Sequence, residues 1–76
     1  MKTNVQTILK ELGLNPIEVG VYLSALAVGS GSASAIAKQA GLNRITTYEA
    51  LKRLTHKGLI RTGKKRGKRG KYFEIE

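Results

Sequence analysis

The chain has no cysteine, a single histidine, and only five carboxylates among its 76 residues. Without cysteine, neither disulfides nor thiolate metal sites can brace a fold this small. One histidine and five scattered glutamates offer no acid–base pair and no ligand set, so no enzyme activity, metal or cofactor is expected. Apolar runs fall well short of the roughly 18 residues that a membrane span requires, so a membrane is not an expected partner. The N-terminal MKTNVQTILKEL lacks a continuous apolar stretch and reaches Glu11 early, unlike a secretory signal. The expected location is the cytoplasm, on the nucleoid.

What the chain has in excess is positive charge, and its placement is uneven. The net charge is +9. Residues 1–43 carry Lys2, Lys10 and Lys38 against Glu11 and Glu18, whereas residues 44–76 carry eleven Lys or Arg against Glu49, Glu74 and Glu76. Such asymmetry is a footprint for a polyanion, whether DNA, RNA or an anionic surface. A chain of this length is expected to form one domain, residues 1–76, near the lower limit for an unstapled apolar core.

The pattern predicts a mainly α fold with a small β-hairpin. The first helix is expected over about 3–12, where Val5, Ile8, Leu9 and Leu12 form one apolar stripe. The second is expected over 15–28, started by Asn15 as N-cap, Pro16 at N1 and Glu18 at N3, which resembles a capping box. Ile17, Val21, Leu23, Leu26 and Ala27 are among its apolar residues, and Gly29-Ser30-Gly31 ends it as a tight connection. A third helix over 33–40, capped by Ser32 or Ser34, presents Ile36, Ala37 and Ala40 as a small-residue face. Gly41-Leu42-Asn43 then forms a turn in which glycine supplies positive φ and Asn43 caps a fourth helix over 44–57.

That fourth helix places Thr47, Ala50, Leu51 and Leu54 on one side and Ile45, Thr46, Tyr48, Glu49, Lys52, Arg53 and His56 on the other. Gly58 stops it and Leu59 packs beyond. Residues 59–62 and 72–75 read as short strands around the basic, glycine-rich GKKRGKRGK. Two helices joined by a short turn have the spacing that places one helix in a DNA major groove, and the hairpin has the charge that grips phosphate.

Taken together, LGLNPIEVGVYLSAL, SASAIAKQAGLNRITTYEALKRLTHKGLI and the closing KYFEI resemble the winged helix–turn–helix domain of the TrmB family, archaeal and bacterial transcriptional regulators. The resemblance covers about residues 9–76 and rests on the Tyr22-Leu23, Ile36-Ala37 and Tyr48-Glu49 pairs and the Lys57-Gly58-Leu59 stop. Members of that family typically carry a C-terminal effector domain that binds sugars. These residues contain no candidate for a small-molecule effector site, so that activity is not carried over. The wing is also more basic and glycine-rich than the family pattern. A stand-alone module and the N-terminal part of a longer product both stay open.

The resemblance implies that the fourth helix enters the major groove of double-stranded DNA with its N-terminal end first. Arg44 then suits bidentate pairing with guanine, Thr46 a base edge, Ile45 a thymine methyl and Glu49 a cytosine amino group, although such a carboxylate more often orients a neighbouring Arg or Lys. Tyr48, with its ring packed near the turn, Lys52, Arg53 and His56 suit phosphates. Ser32 and Ser34 either cap a helix or hold phosphate there. Lys64, Lys65, Arg66, Lys68, Arg69 and Lys71 of the wing suit the flanking backbone or the minor groove. A homodimer through Val5, Ile8, Leu9 and Leu12 is weighed evenly against closure of the monomer's own core by the same residues. The rival functions are an RNA-binding basic module, for which only Tyr72 and Phe73 offer a stacking face, a non-specific nucleoid coat, and a winged helix that docks on protein.

Overall fold

The computed structural model describes residues 5–64 and 71–76. Along the chain run α1 (Val5–Glu11), α2 (Pro16–Val28), β1 (Ser30–Gly31), α3 (Ala33–Ala40), α4 (Arg44–His56), β2 (Ile60–Lys64) and β3 (Lys71–Ile75). Local hydrogen bonding explains most boundaries. Asn15 Oδ1 accepts from the Glu18 N–H at 2.8 Å while Glu18 Oε1 accepts from the Asn15 N–H at 3.0 Å, the reciprocal box that starts α2. Ser32, not Ser34, caps α3 by accepting from the Ala35 N–H at 3.2 Å. Gly41 adopts φ +71°, a left-handed conformation that costs a side-chain-bearing residue energy, and Leu42 N–H returns to the Ala37 carbonyl at 3.0 Å. Two residues later Asn43 Oδ1 takes the Thr46 N–H at 2.7 Å and starts α4.

The helix–turn–helix is therefore α3, the Gly41–Asn43 turn and α4, and β2 with β3 forms the wing. α4 ends one residue earlier than expected, with Lys57 as its C-cap. There the Leu59 N–H bonds to the Leu54 carbonyl at 3.0 Å across Gly58, bringing an apolar residue back over the last turn.

A third strand was not anticipated. β1, just Ser30 and Gly31, pairs antiparallel with β3 through Ser30↔Glu74 and Gly31↔Phe73, so the sheet order is β1-β3-β2. The residues read as a connection do connect, but they also complete the sheet. The wing strands reach further toward the tip than the 59–62 and 72–75 expectation, with Ile60↔Ile75, Thr62↔Phe73 and Gly63↔Tyr72 in register. A Cβ on Gly63 would lie 2.7 Å from the Tyr72 hydroxyl oxygen and 2.8 Å from its ring, so only glycine lets that ring cross the opposing strand.

The core gathers Leu9, Leu14, Val19, Val21, Ala25, Ile36, Ala50, Leu51, Leu54, Ile60 and Phe73. Thr47, Ala50, Leu51 and Leu54 of α4 have no exposed surface, as their spacing implied. For Leu9, the core reading of the first helix holds over the dimer reading. Leu9 lies in the monomer's core and does not belong to a dimer surface, because α1 closes with Leu9 and Leu14 turned inward around Gly13. Ile8 and Leu12 remain outside, and the side chain of Val5 is not among those described. In α2, the apolar Ile17 and Leu26 face outward. The core side of α2 is made instead by Val19, Val21 and Ala25, because a helix apolar on nearly every side cannot bury all of it.

Among the described residues, one buried side-chain polar group is unpaired. Thr47 Oγ1 has no hydrogen-bond partner although its residue is fully buried on α4. Burying a hydroxyl without a partner is unfavourable, and valine nearly preserves the shape. Thr47→Val is therefore expected to stabilise the fold by about 1 kcal/mol. A urea unfolding curve checks this; an unchanged or lower midpoint contradicts the account of that hydroxyl.

Candidate nucleic-acid interface

The burial of one side of α4 presents the other. Arg44, Ile45, Tyr48, Glu49, Lys52, Arg53 and His56 are exposed, and Thr46 is half-buried beside the turn. Ile45 is 75% exposed, more than any other large apolar side chain among the described residues. Burial in this domain does not account for an aliphatic side chain displayed at the second position of a helix.

A groove of about 480 Å³ runs between the start of α3, the first turns of α4 and the wing. Ser32, Ala33 and Ser34 line it from α3, Arg44, Ile45, Tyr48 and Glu49 from α4, and Lys71 and Phe73 from β3. Residues nominated from separate parts of the sequence thus share one concavity. Cations flank it from two elements, and the N-terminus of α3, with its positive dipole end, borders the same space.

Tyr48 holds the groove together. Its ring meets Phe73 edge-on, with centroids 6.1 Å apart and planes at 81°, and Lys52 Nζ lies 5.8 Å from its centroid. The ring was expected to pack near the turn; it packs against the sheet, and so ties α4 to the wing strand. Phe73 is buried beneath it, which removes one of the two aromatics that an RNA-stacking strand face would have used. Glu49 is exposed and makes no ion pair among the described residues, so it does not orient a neighbouring cation there.

A second groove of about 400 Å³ lies along the later turns of α4, lined by Glu49, Lys52, Arg53, His56 and Lys57. Behind it sits an interaction that sequence reasoning missed. Glu18 of α2, read only as a capping residue, is buried and accepts from Arg53 Nε at 2.9 Å while Lys57 Nζ lies 3.3 Å away. Burial pushes the Glu18 carboxyl up. The Asn15 N–H, Arg53 and Lys57 outweigh that and hold it below its ordinary value. No local signal foretells this contact, since Glu18 and Arg53 stand 35 residues apart in sequence. On the wing, Arg61 donates to Glu74 at 2.8 Å and is thereby partly compensated.

Not every nominated cation can be placed. Lys64 belongs to β2 but its side chain is outside the described set, and Lys65, Arg66, Lys68 and Arg69 lie outside the described residues. Among the described residues no helix is long and apolar enough to cross a membrane.

The profile of the sugar-specific transcriptional regulator TrmB matches residues 9–76, nearly the whole chain. The chain belongs to the TrmB family. No curated protein matches it. TrmB membership makes this the DNA-binding helix–turn–helix of a transcriptional-regulator family, and that family is not one of enzymes.

The Glu18 contacts carry a pH consequence. A carboxyl whose pKa is lower folded than unfolded adds stability that is whole above the unfolded value and is lost as pH falls through the folded one. Relative to Glu18→Gln, the native chain is therefore expected to lose stability as pH drops below 4.5, and to keep a constant difference above that. Thermal unfolding of both proteins across the acid range tests this. A native advantage that grows on acidification contradicts it.

Proposed function

We propose that this domain binds duplex DNA by inserting the first turns of α4 into the major groove while α3 and the wing hold the flanking backbone. The observation that carries the reading is the shared groove, where Arg44 and Ile45 stand at the start of α4 between the α3 N-terminus and Lys71. Arg44 pairs with guanine O6 and N7, Ile45 meets a thymine methyl, and Thr46 completes the edge readout. Glu49, a carboxylate with no ion pair among the described residues and set in a cationic surface, costs affinity against phosphate and repays it only by accepting from a cytosine amino group. It works as a discriminator.

Lys52, Arg53 and His56 contact phosphates along one strand, with the Tyr48 hydroxyl beside them. Ser32 and Ser34 serve the other strand: Ser32 caps α3 through an oxygen lone pair, which leaves its hydroxyl proton free to donate to phosphate. Lys64, Lys65, Arg66, Lys68, Arg69 and Lys71 add grip that is independent of sequence. Neutralising about six phosphates gives a slope near −5 in a plot of log affinity against log salt. Replacing the wing bases by alanine weakens all duplexes alike and flattens that slope, whereas Arg44→Ala relaxes preference at one position. Titration of random and selected duplexes over a range of salt reads both. A slope near zero, or equal loss of discrimination from the two variants, overturns the division of roles.

Symmetric sites are usual for helix–turn–helix readers, and the exposed Ile8 of α1 and Leu12 just after it supply a surface for a second copy. Leu12→Lys, at a position 56% exposed, should yield a folded monomer, whereas Leu9→Lys should unfold the chain. Light scattering with circular dichroism separates these outcomes; native protein that is itself monomeric at high concentration removes the dimer.

A further inference from the structure

We propose that Glu18 is a positioning residue for DNA binding: from α2 it holds the Arg53 guanidinium of α4 by Nε, so that its two terminal amino groups are set for a phosphate. This rests on the duplex-binding reading above and adds a residue that does not itself touch DNA.

Glu18 is the one charged residue of α2, and its side chain is 3% exposed. Capping α2 needs only Oε1, which accepts from the Asn15 N–H. The other oxygen, Oε2, takes Arg53 Nε at 2.9 Å, and Lys57 Nζ spans both oxygens at 3.3 and 3.5 Å. Capping therefore does not account for the second oxygen or the two cations. Arg53 in turn is not consumed by the contact. Its side chain stays 45% exposed, its terminal amino groups have no partner among the described residues, and it lines the groove shared with Lys52 and His56. A guanidinium is planar, so fixing Nε fixes the plane of the remaining fork, which matches two phosphate oxygens. An exposed arginine without that restraint must be ordered at the moment of binding.

The sign of one substitution separates positioning from plain charge. Removing a carboxylate beside a phosphate-binding surface raises the local positive potential and, by charge alone, tightens binding. Loss of positioning weakens it. Glu18→Gln keeps the shape and an oxygen for the Asn15 N–H, and both cations are solvent-accessible, so neither is stranded. Fluorescence anisotropy of the 76-residue chain with a labelled duplex at fixed salt is the measurement. We expect Glu18→Gln to bind on the order of tenfold more weakly despite its added positive charge. In an Arg53→Ala background the same change should have no further effect. Arg53→Lys, which keeps the charge and loses the fork, should show a comparable loss. Native or tighter binding by Glu18→Gln overturns the proposal, as does an undiminished effect in the Arg53→Ala background. If Glu18→Gln lacks the native circular dichroism spectrum, Arg53→Lys decides alone, and affinity within about twofold of native refutes the positioning role. Native protein that binds no duplex sinks the function itself; native protein that binds while Glu18→Gln is unaffected sinks only this inference.

Discussion

Everything in this domain depends on the burial of one side of α4. Thr47, Ala50, Leu51 and Leu54 are fully enclosed by the rest of the fold. At 3.6 residues per turn, that burial leaves Ile45, Tyr48, Glu49, Lys52 and His56 no place but outside. The start of α4 is set independently by left-handed Gly41 and by Asn43 on the Thr46 N–H. Rotation and start point together make Arg44 and Ile45 the leading residues of the presented edge. A domain this small has few ways to fix a helix so closely, and it uses nearly all of its core to do so.

The charge that first marks the chain as a polyanion binder is not all equally available. Arg53 and Lys57 converge on buried Glu18, and Arg61 is paired across the sheet with Glu74. Arg44 and Lys71, by contrast, border the groove and make no ion pair among the described residues. Arg53, Lys57 and Arg61 are held in place by their carboxylate partners, whereas Arg44 and Lys71 keep their charge uncompensated there. The basic surface is thus divided into paired and unpaired cations among the described residues. Tyr48, wedged edge-on against Phe73, links the two by tying α4 to the strand that bears Lys71.

Much of the fold was legible because its boundaries are local chemistry. Asn15-Pro16 with Glu18, Gly41-Leu42-Asn43 and Lys57-Gly58-Leu59 each declare a helix end within four residues, and each end forms within one residue of its reading. What escaped was tertiary. β1 is a strand only because β3 runs beside it; Ser30 and Gly31 have no strand preference of their own. The core face of α2 was not legible because that helix is apolar on most sides, so periodicity cannot choose between Val21 and the exposed Ile17 and Leu26. Leu9, Ile8 and Leu12 looked equivalent in sequence, yet only the first turns inward. In the candidate interface, the exposed arc of α4 was legible for the same periodic reason. The Glu18 contacts and the seat of Tyr48 on the sheet required the fold.

The central claim is that the α3 N-terminus, the leading turns of α4 and the base of the wing act as one DNA-facing surface. A titration of isotope-labelled protein with duplex DNA, followed by amide resonances, reads that surface residue by residue. The account predicts the largest shifts at Ser32–Ser34, Arg44–Glu49 and Lys71, with α1 little changed. Shifts concentrated on α1 or on the free edge of β2, with the groove residues silent, would contradict it.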